Sequence, residues 1–176
     1  MMQRVLVMGC SGSGKTTFAR ALADKLGLPL VSLDALFWKP GWRESEPAEF
    51  SARVTEVADG PAWVIDGNYV SHGAGQLRRS RADSILWFDL PRLACLSGVI
   101  RRIAASHGQV RPEMAPGCPE RVDLTFLRYV WTYRQQQRPK LLAYFDGLRA
   151  DQRLVGFTAR SQAVDFLTGL RASARA

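Results

Sequence analysis

Hydrophobic residues in this chain fall into short continuous runs, with longer stretches between them that repeat about every four residues. The runs are VLVMG (5–9), LVSL (30–33), WVID (63–66), ILWFD (85–89) and RLVGF (153–157). A strand with one wet face alternates apolar and polar positions. An unbroken run of four or five fits a strand covered on both faces, as in a parallel sheet. Helical spacing fills the gaps. Phe18, Leu22 and Leu26 recur every four residues over 14–26, and Gly27 supplies a stop. Over 91–106, Pro91 suits a first turn, and Leu93, Leu96, Ile100 and Ile103 form one stripe. Residues 123–137 carry Leu124, Leu127, Val130 and Trp131 before Pro139, which is expected to end the run. Residues 160–172 read as a last amphipathic helix. Five strands alternating with helices predict one α/β domain of βαβ units over residues 1–176.

Two stretches break the pattern. Residues 106–121, SHGQVRPEMAPGCPER, hold three prolines and read as a surface excursion and a mobile lid over about 107–122. Residues 33–42, LDALFWKPGW, crowd aromatic rings around a Pro-Gly break, which suits neither helix nor strand.

Composition narrows the class. At 176 residues, 47% hydrophobic and 23% charged, the chain suits a soluble globular protein, and a cytoplasmic location is expected. Its three cysteines, Cys10, Cys95 and Cys118, show neither metal-ligand spacing nor a disulfide framework, and Cys10 reads as a small filler. The net charge is +8, with 20 of 24 basic residues arginine. That excess suits nucleic acid or small phosphorylated ligands. With no helix-turn-helix or zinc-finger pattern, phosphate chemistry explains the arginines, and an ATP-binding DNA-associated regulator stays as the alternative.

The sharpest motif is GCSGSGKT, Gly9 to Thr16, which follows the first strand and opens a helix. Gly9, Gly12 and Gly14 let backbone N–H groups of the loop, Ser11 and Ser13 among them, turn toward a phosphate. The helix N-terminus adds partial positive charge. Lys15 is placed to reach the β- and γ-phosphates of ATP, the Thr16 hydroxyl to hold Mg²⁺, and Thr17 follows in the first turn. No N-K-x-D guanine motif occurs, L-S-G-G-Q is absent, and no second acid follows Asp66 or Asp89. These absences favour a kinase, in which the acceptor supplies the nucleophile.

Asp66 and Asp89 both end apolar runs, and either fits the aspartate that organises Mg²⁺. Asp66, before Gly67-Asn68, has the turn that places a ligand at a strand's carboxyl end, whereas Asp89 before Leu-Pro reads as a helix cap. Asp34 also follows a run. It reads as a base or hydroxyl ligand for the acceptor, or else as a plain N-cap. Phe37, Trp38 and Trp42 read as a pocket wall or as a cover on the core, with Arg43 beside them for a phosphate. Asn68 and Arg78 are further acceptor candidates. Arg102, Arg128 and Arg134 are candidates to neutralise the transferred phosphoryl group, with Arg101, Arg121 and Arg138 nearby. His72 and His107 lack a partner pattern.

The segments GCSGSGKTT, LDALFWKPGW, WVIDGNY, ILWFDLPR and RPEMAPGCPERVDLTFLRYVW together resemble the bacterial DNA topology modulation (FlaR-like) proteins, over about residues 4 to 168. Those are similar in turn to adenylate and shikimate kinases. The resemblance implies a P-loop NTPase fold with a five-stranded parallel sheet in the nucleoside-kinase order and a lid near 107–122. It implies Lys15 and Thr16 as ATP–Mg²⁺ residues and a substrate or base carboxylate at Asp34. It names no acceptor, and DGNYV stands where adenylate kinases carry DGFPR.

Overall fold

The structure, a computed structural model, describes residues 2–170. Five strands form one parallel sheet: β1 (Arg4–Gly9), β2 (Leu30–Ser32), β5 (Trp63–Asp66), β6 (Ser84–Phe88) and β7 (Arg153–Phe157), in the order β2-β5-β1-β6-β7. Val5–Met8, Trp63–Ile65, Ile85, Leu86 and Phe88 are buried, because helices cover both faces. β1 lies in the middle, with Val7 level with Asp66 and Gly9 level with Phe88. The carboxyl ends of β1 and β5 therefore open side by side, at the place where such sheets bind ligands.

The expected helices are present as α1 (Lys15–Leu26), α5 (Arg92–Ser106), α6 (Leu124–Gln136) and α8 (Arg160–Gly169). The last ends before the expected 172, and its final two positions lie outside the described residues. α6 ends at Gln136, ahead of Pro139 as expected, and Pro139 itself sits in the first turn of a further helix, α7 (Arg138–Phe145). Three other helices were not expected: α2 (Leu33–Phe37), α3 (Pro47–Asp59), which buries a stripe of Phe50, Val54 and Ala58, and α4 (Gly75–Arg81).

LDALFWKPGWRE resolves into α2 followed by a small antiparallel hairpin, β3 (Trp38–Lys39) and β4 (Arg43–Glu44), turned by Pro40 to Trp42. Trp42 adopts φ 60°, a left-handed conformation uncommon for a large side chain. Trp38 and Trp42 pack edge to face, 5.4 Å between centroids, against Met114, Ala115 and Cys118. This small cluster adjoins the main core through Trp38, whose ring meets Phe37 edge to face at 5.0 Å. The 107–122 segment is accordingly seated on the hairpin: Gly41 N–H donates to Gly117 O at 2.9 Å, and the Trp42 indole N–H donates to Pro119 O at 3.1 Å. No helix among the described residues is long and apolar enough to cross a membrane.

Candidate active site

The loop between β1 and α1 wraps tightly because two glycines leave no room for a side chain. A Cβ on Gly9, at φ 145°, would lie 2.6 Å from Phe88 O, and one on Gly12, at φ 77°, would lie 2.1 Å from Cys95 O. α1 starts at Lys15, so its unpaired N–H groups face into the loop. Lys15 is 9% exposed. The Thr16 hydroxyl donates to Asp66 Oδ2 at 2.5 Å, joining α1 to the end of β5. The other oxygen, Asp66 Oδ1, is buried with no protein partner. Burial pushes the Asp66 carboxyl above its usual range, while the Lys15 charge and the Thr16 hydroxyl oppose that shift.

Asp34 lies across the same opening. It is not the cap of its helix, because Ser32 is: Ala35 N–H donates to Ser32 Oγ at 3.4 Å. That leaves the Asp34 carboxylate free to face the cavity, where it accepts a 2.7 Å bond from the Tyr69 hydroxyl. Tyr69 has φ 39°, and its ring is fixed between Phe37 and Phe50, 4.9 and 5.1 Å away. A cavity of about 680 Å³ takes in Lys15, Thr16, Asp34, Tyr69, Phe37, Trp38 and Trp42, and continues under the lid to Arg102, Arg111, Glu113 and Glu120. The volume is within the range of small-molecule sites.

The residues present fit a nucleotide with Mg²⁺. The loop offers backbone donors and a buried lysine, and Thr16 with the orphaned Asp66 oxygen offers two hard oxygen donors beside them.

A model of the ATPase family associated with various cellular activities (AAA) matches residues 5–89, the stretch from the loop's strand to just past β6. Among solved structures, the shikimate kinase from Acinetobacter baumannii in complex with shikimate is similar over 96% of this chain and 92% of its own, with a TM-score of 0.57 and 18% identity. A gluconokinase from Sinorhizobium meliloti is similar over 94% and 87%, with a TM-score of 0.52 and 16% identity. At those identities the likeness concerns the fold. A cytidylate kinase from Pyrobaculum aerophilum is 30% identical over 141 residues, 73% of this chain and 74% of the relative. The chain belongs to the P-loop kinase family.

Within this kinase, several expected site residues stand elsewhere for identifiable reasons. Arg78 is fully buried and does not line the cavity. Its guanidinium donates to Gly73 O, Asn68 O and Tyr69 O at 2.9 to 3.0 Å, which shapes the 67–73 loop from beneath. Asn68 lies at the cavity, but its amide is occupied. Gly9 N–H donates to its Oδ1 at 2.8 Å, and its Nδ2 donates to Gly9 O at 3.0 Å and to the Tyr133 hydroxyl at 3.1 Å. It clamps the phosphate loop to the DGNY turn. Arg43 is exposed on β4, with its Nε 3.4 Å from Pro40 O, and Arg128 is exposed on α6; neither lines the cavity. Thr17 is likewise exposed outside it.

Asp89 and Arg134 correct each other. Asp89 does not cap α5, which begins after Pro91 with no side-chain cap. It accepts three bonds of 2.8 to 3.0 Å from Arg138, with Arg134 Nη1 at 3.7 Å from the same carboxylate and 3.4 Å from Leu90 O. Arg134 is thus an ion-pair partner outside the cavity, and Asp89 has no oxygen free of the guanidinium groups. Arg102 does line the cavity, with Nε 3.1 Å from Glu120. Burial, followed by the neighbouring Arg111 charge, lowers its pKa.

Besides Tyr69, sequence reasoning missed three parts of the site. Arg160, at the start of α8, donates to Gly12 O at 2.7 Å, Ser13 O at 3.2 Å and Ala94 O at 2.8 Å, bracing the loop from behind. Glu113 and Glu120 bind the lid down: Arg111 reaches both, at 2.9 and 2.8 Å, and Arg20 on α1 reaches Glu113 at 3.0 Å. Tyr129 and Phe126 of α6 form a wall. Only the lid acids left a sequence trace, as charges spaced among three prolines; the rest are distant partners that no local pattern marks.

Proposed function

We propose that this P-loop kinase transfers the γ-phosphoryl group of ATP, with Mg²⁺, to a hydroxyl of a small acceptor held against Asp34. The observation that carries the reading is the opposition of two assemblies in one cavity. Thr16, hydrogen-bonded to Asp66 beside buried Lys15, makes a phosphate and metal end; the Asp34 carboxylate, oriented by Tyr69, makes an acceptor end. Asp34 accepts the proton as the acceptor oxygen forms its bond to phosphorus, and the bond to the departing ADP oxygen breaks. Lys15 and the loop N–H groups hold the phosphoryl oxygens as charge develops on them. Thr16 and Asp66 would hold Mg²⁺, which neutralises charge across the β- and γ-phosphates. The lid, closed by the Arg111–Glu113–Arg20 pairs, excludes the water that would otherwise accept the phosphoryl group.

The archaeal relative is named for a nucleotide acceptor, and the structural neighbours for shikimate and gluconate kinases. That range supports a small hydroxylated acceptor and leaves its identity to the pocket. The test is acceptor-dependent ADP release from ATP and Mg²⁺. Lys15→Ala should abolish it with the melting temperature nearly unchanged, and Asp34→Asn should cut it by at least 100-fold with ATP affinity retained. Full turnover in Lys15→Ala would overturn the assignment. A DNA-associated regulator would instead bind duplex DNA at physiological salt with a steep salt slope, and without any need for Lys15.

A further inference from the structure

The charges lining the cavity are distributed unevenly between paired and unpaired groups. Every guanidinium that reaches it is already matched to an acid. Arg102 lies 3.1 Å from Glu120, Arg111 lies 2.9 Å from Glu113 and 2.8 Å from Glu120, and Arg121 lies 3.4 Å from Asp123 while also covering the Trp42 ring. The carboxylates of Asp34 and Glu44, in contrast, make no ion pair among the described residues. Asp34 accepts only the Tyr69 hydroxyl, and Glu44 reaches the cavity from β4, opposite Trp38 in the hairpin. Of the two lysines at the cavity, Lys15 belongs to the phosphate loop, and Lys140 is exposed at the rim, as Glu44 is.

Resting on the kinase reading above, we propose that the acceptor is an uncharged, hydroxyl-bearing ring compound of nucleoside type, and that its phosphorylated or carboxylated counterparts are rejected. A phosphate on the acceptor is held most strongly by a bidentate guanidinium. The two arginines that the sequence offered for this task stand away from the cavity. Arg78 is enclosed beneath the 67–73 loop, and Arg43 points out on β4. An anionic acceptor would meet the unpaired Asp34 carboxylate and the exposed Glu44, and to gain a guanidinium it would have to draw Arg102 or Arg111 from the buried Glu120 that the two share. A neutral ring meets none of these penalties. Trp38 and Tyr129 offer aromatic surface, and Asp34 accepts from a sugar or ring hydroxyl. Specificity of this kind works by repulsion as much as by fit.

The experiment compares matched pairs, each common nucleoside against its own 5′-monophosphate, by ADP release from ATP–Mg²⁺, with ATP binding followed separately by calorimetry. At least one nucleoside should be used with a kcat/KM roughly 100-fold or more above that of its monophosphate, the scale of a like-charge penalty. Glu44→Gln should narrow that ratio at least roughly threefold, as one of the two opposing charges is removed. A monophosphate used as well as its nucleoside, or a ratio unmoved by Glu44→Gln, overturns the electrostatic argument. Silence from every pair while ATP still binds in a Lys15-dependent way overturns the acceptor class and leaves the kinase reading standing. Loss of ATP binding itself would overturn the kinase reading.

Discussion

Trp42→Ala separates a lid anchor from a core residue. Trp42 makes three contacts whose sizes can be assigned. Its indole N–H donates to Pro119 O at 3.1 Å, worth about 1 kcal/mol. The Arg121 guanidinium lies 5.4 Å from its ring, worth about 0.5–1 kcal/mol at a half-exposed position. The edge-to-face contact with Trp38 at 5.4 Å adds about 0.5–1.5 kcal/mol. Together these come to about 3 kcal/mol before any burial against Met114 and Cys118 is counted. Because Trp42 itself packs against the lid and not within the main core, the loss should fall on lid opening and not on global unfolding. An opening constant raised by roughly 100-fold corresponds to that energy. The Gly41 to Gly117 bond survives the substitution and keeps the lid attached at one point. Hydrogen exchange of residues 107–122 should accelerate by that factor, with the melting temperature within about 2 °C of the parent. A melting temperature lowered by the several degrees typical of a core Trp→Ala change, with lid exchange following global unfolding, would refute the argument.

Tyr69→Phe keeps the ring between Phe37 and Phe50 and removes only the 2.7 Å bond to Asp34. It should lower kcat about tenfold, the value of one hydrogen bond to a charged group, with stability nearly unchanged. An unchanged kcat would mean that Asp34 needs no orienting partner. Arg78→Met leaves the carbonyls of Asn68, Tyr69 and Gly73 without their donor, so stability should fall by about 3 kcal/mol, near 10 °C by thermal melting. A change under about 2 °C would assign the guanidinium no part in holding that loop. Lid closure should also depend on acid. Burial pushes Glu113 up, but its own backbone amide, Arg111 and Arg20 outweigh that and hold the carboxyl below its ordinary 4.5. A carboxyl lowered in the folded state stabilises fully above the unfolded value, and that stabilisation is lost as pH falls through the folded one. Pepsin cleavage within 107–122 should rise below pH 4.5 in the parent but not in Glu113→Gln, which starts from the loosened lid. Identical pH profiles would remove Glu113 from the latch.

What the sequence determined alone was whatever depends on neighbours in the chain. Burial on both faces removes alternation, so five apolar runs announced five parallel strands, and α1, α5, α6 and α8 fell where their stripes placed them. The phosphate loop was equally legible, since its shape comes from glycines and a helix start within eight residues. Helices α2 and α4 were not, because five and seven residues are too few to show a helical period, while the Phe50, Val54 and Ala58 stripe of α3 was present in the sequence and passed over. The aromatics themselves could be recognised as special, but whether they faced ligand or core was open. The structure gives them a third role, as the floor of the lid's own cluster as well as a wall of the cavity. The charged residues depended most on tertiary contacts. An arginine looks the same in sequence whether it meets a phosphate, a carboxylate or a carbonyl. Only folding brought Arg138 and Arg134 to Asp89, Arg78 under residues 68–73, and Arg160 to the phosphate loop 147 positions away. Those pairings removed most of the expected phosphate ligands and left Asp34 and Glu44 unpaired, because a charge's role is set by its partner across the fold and not by its place in the chain.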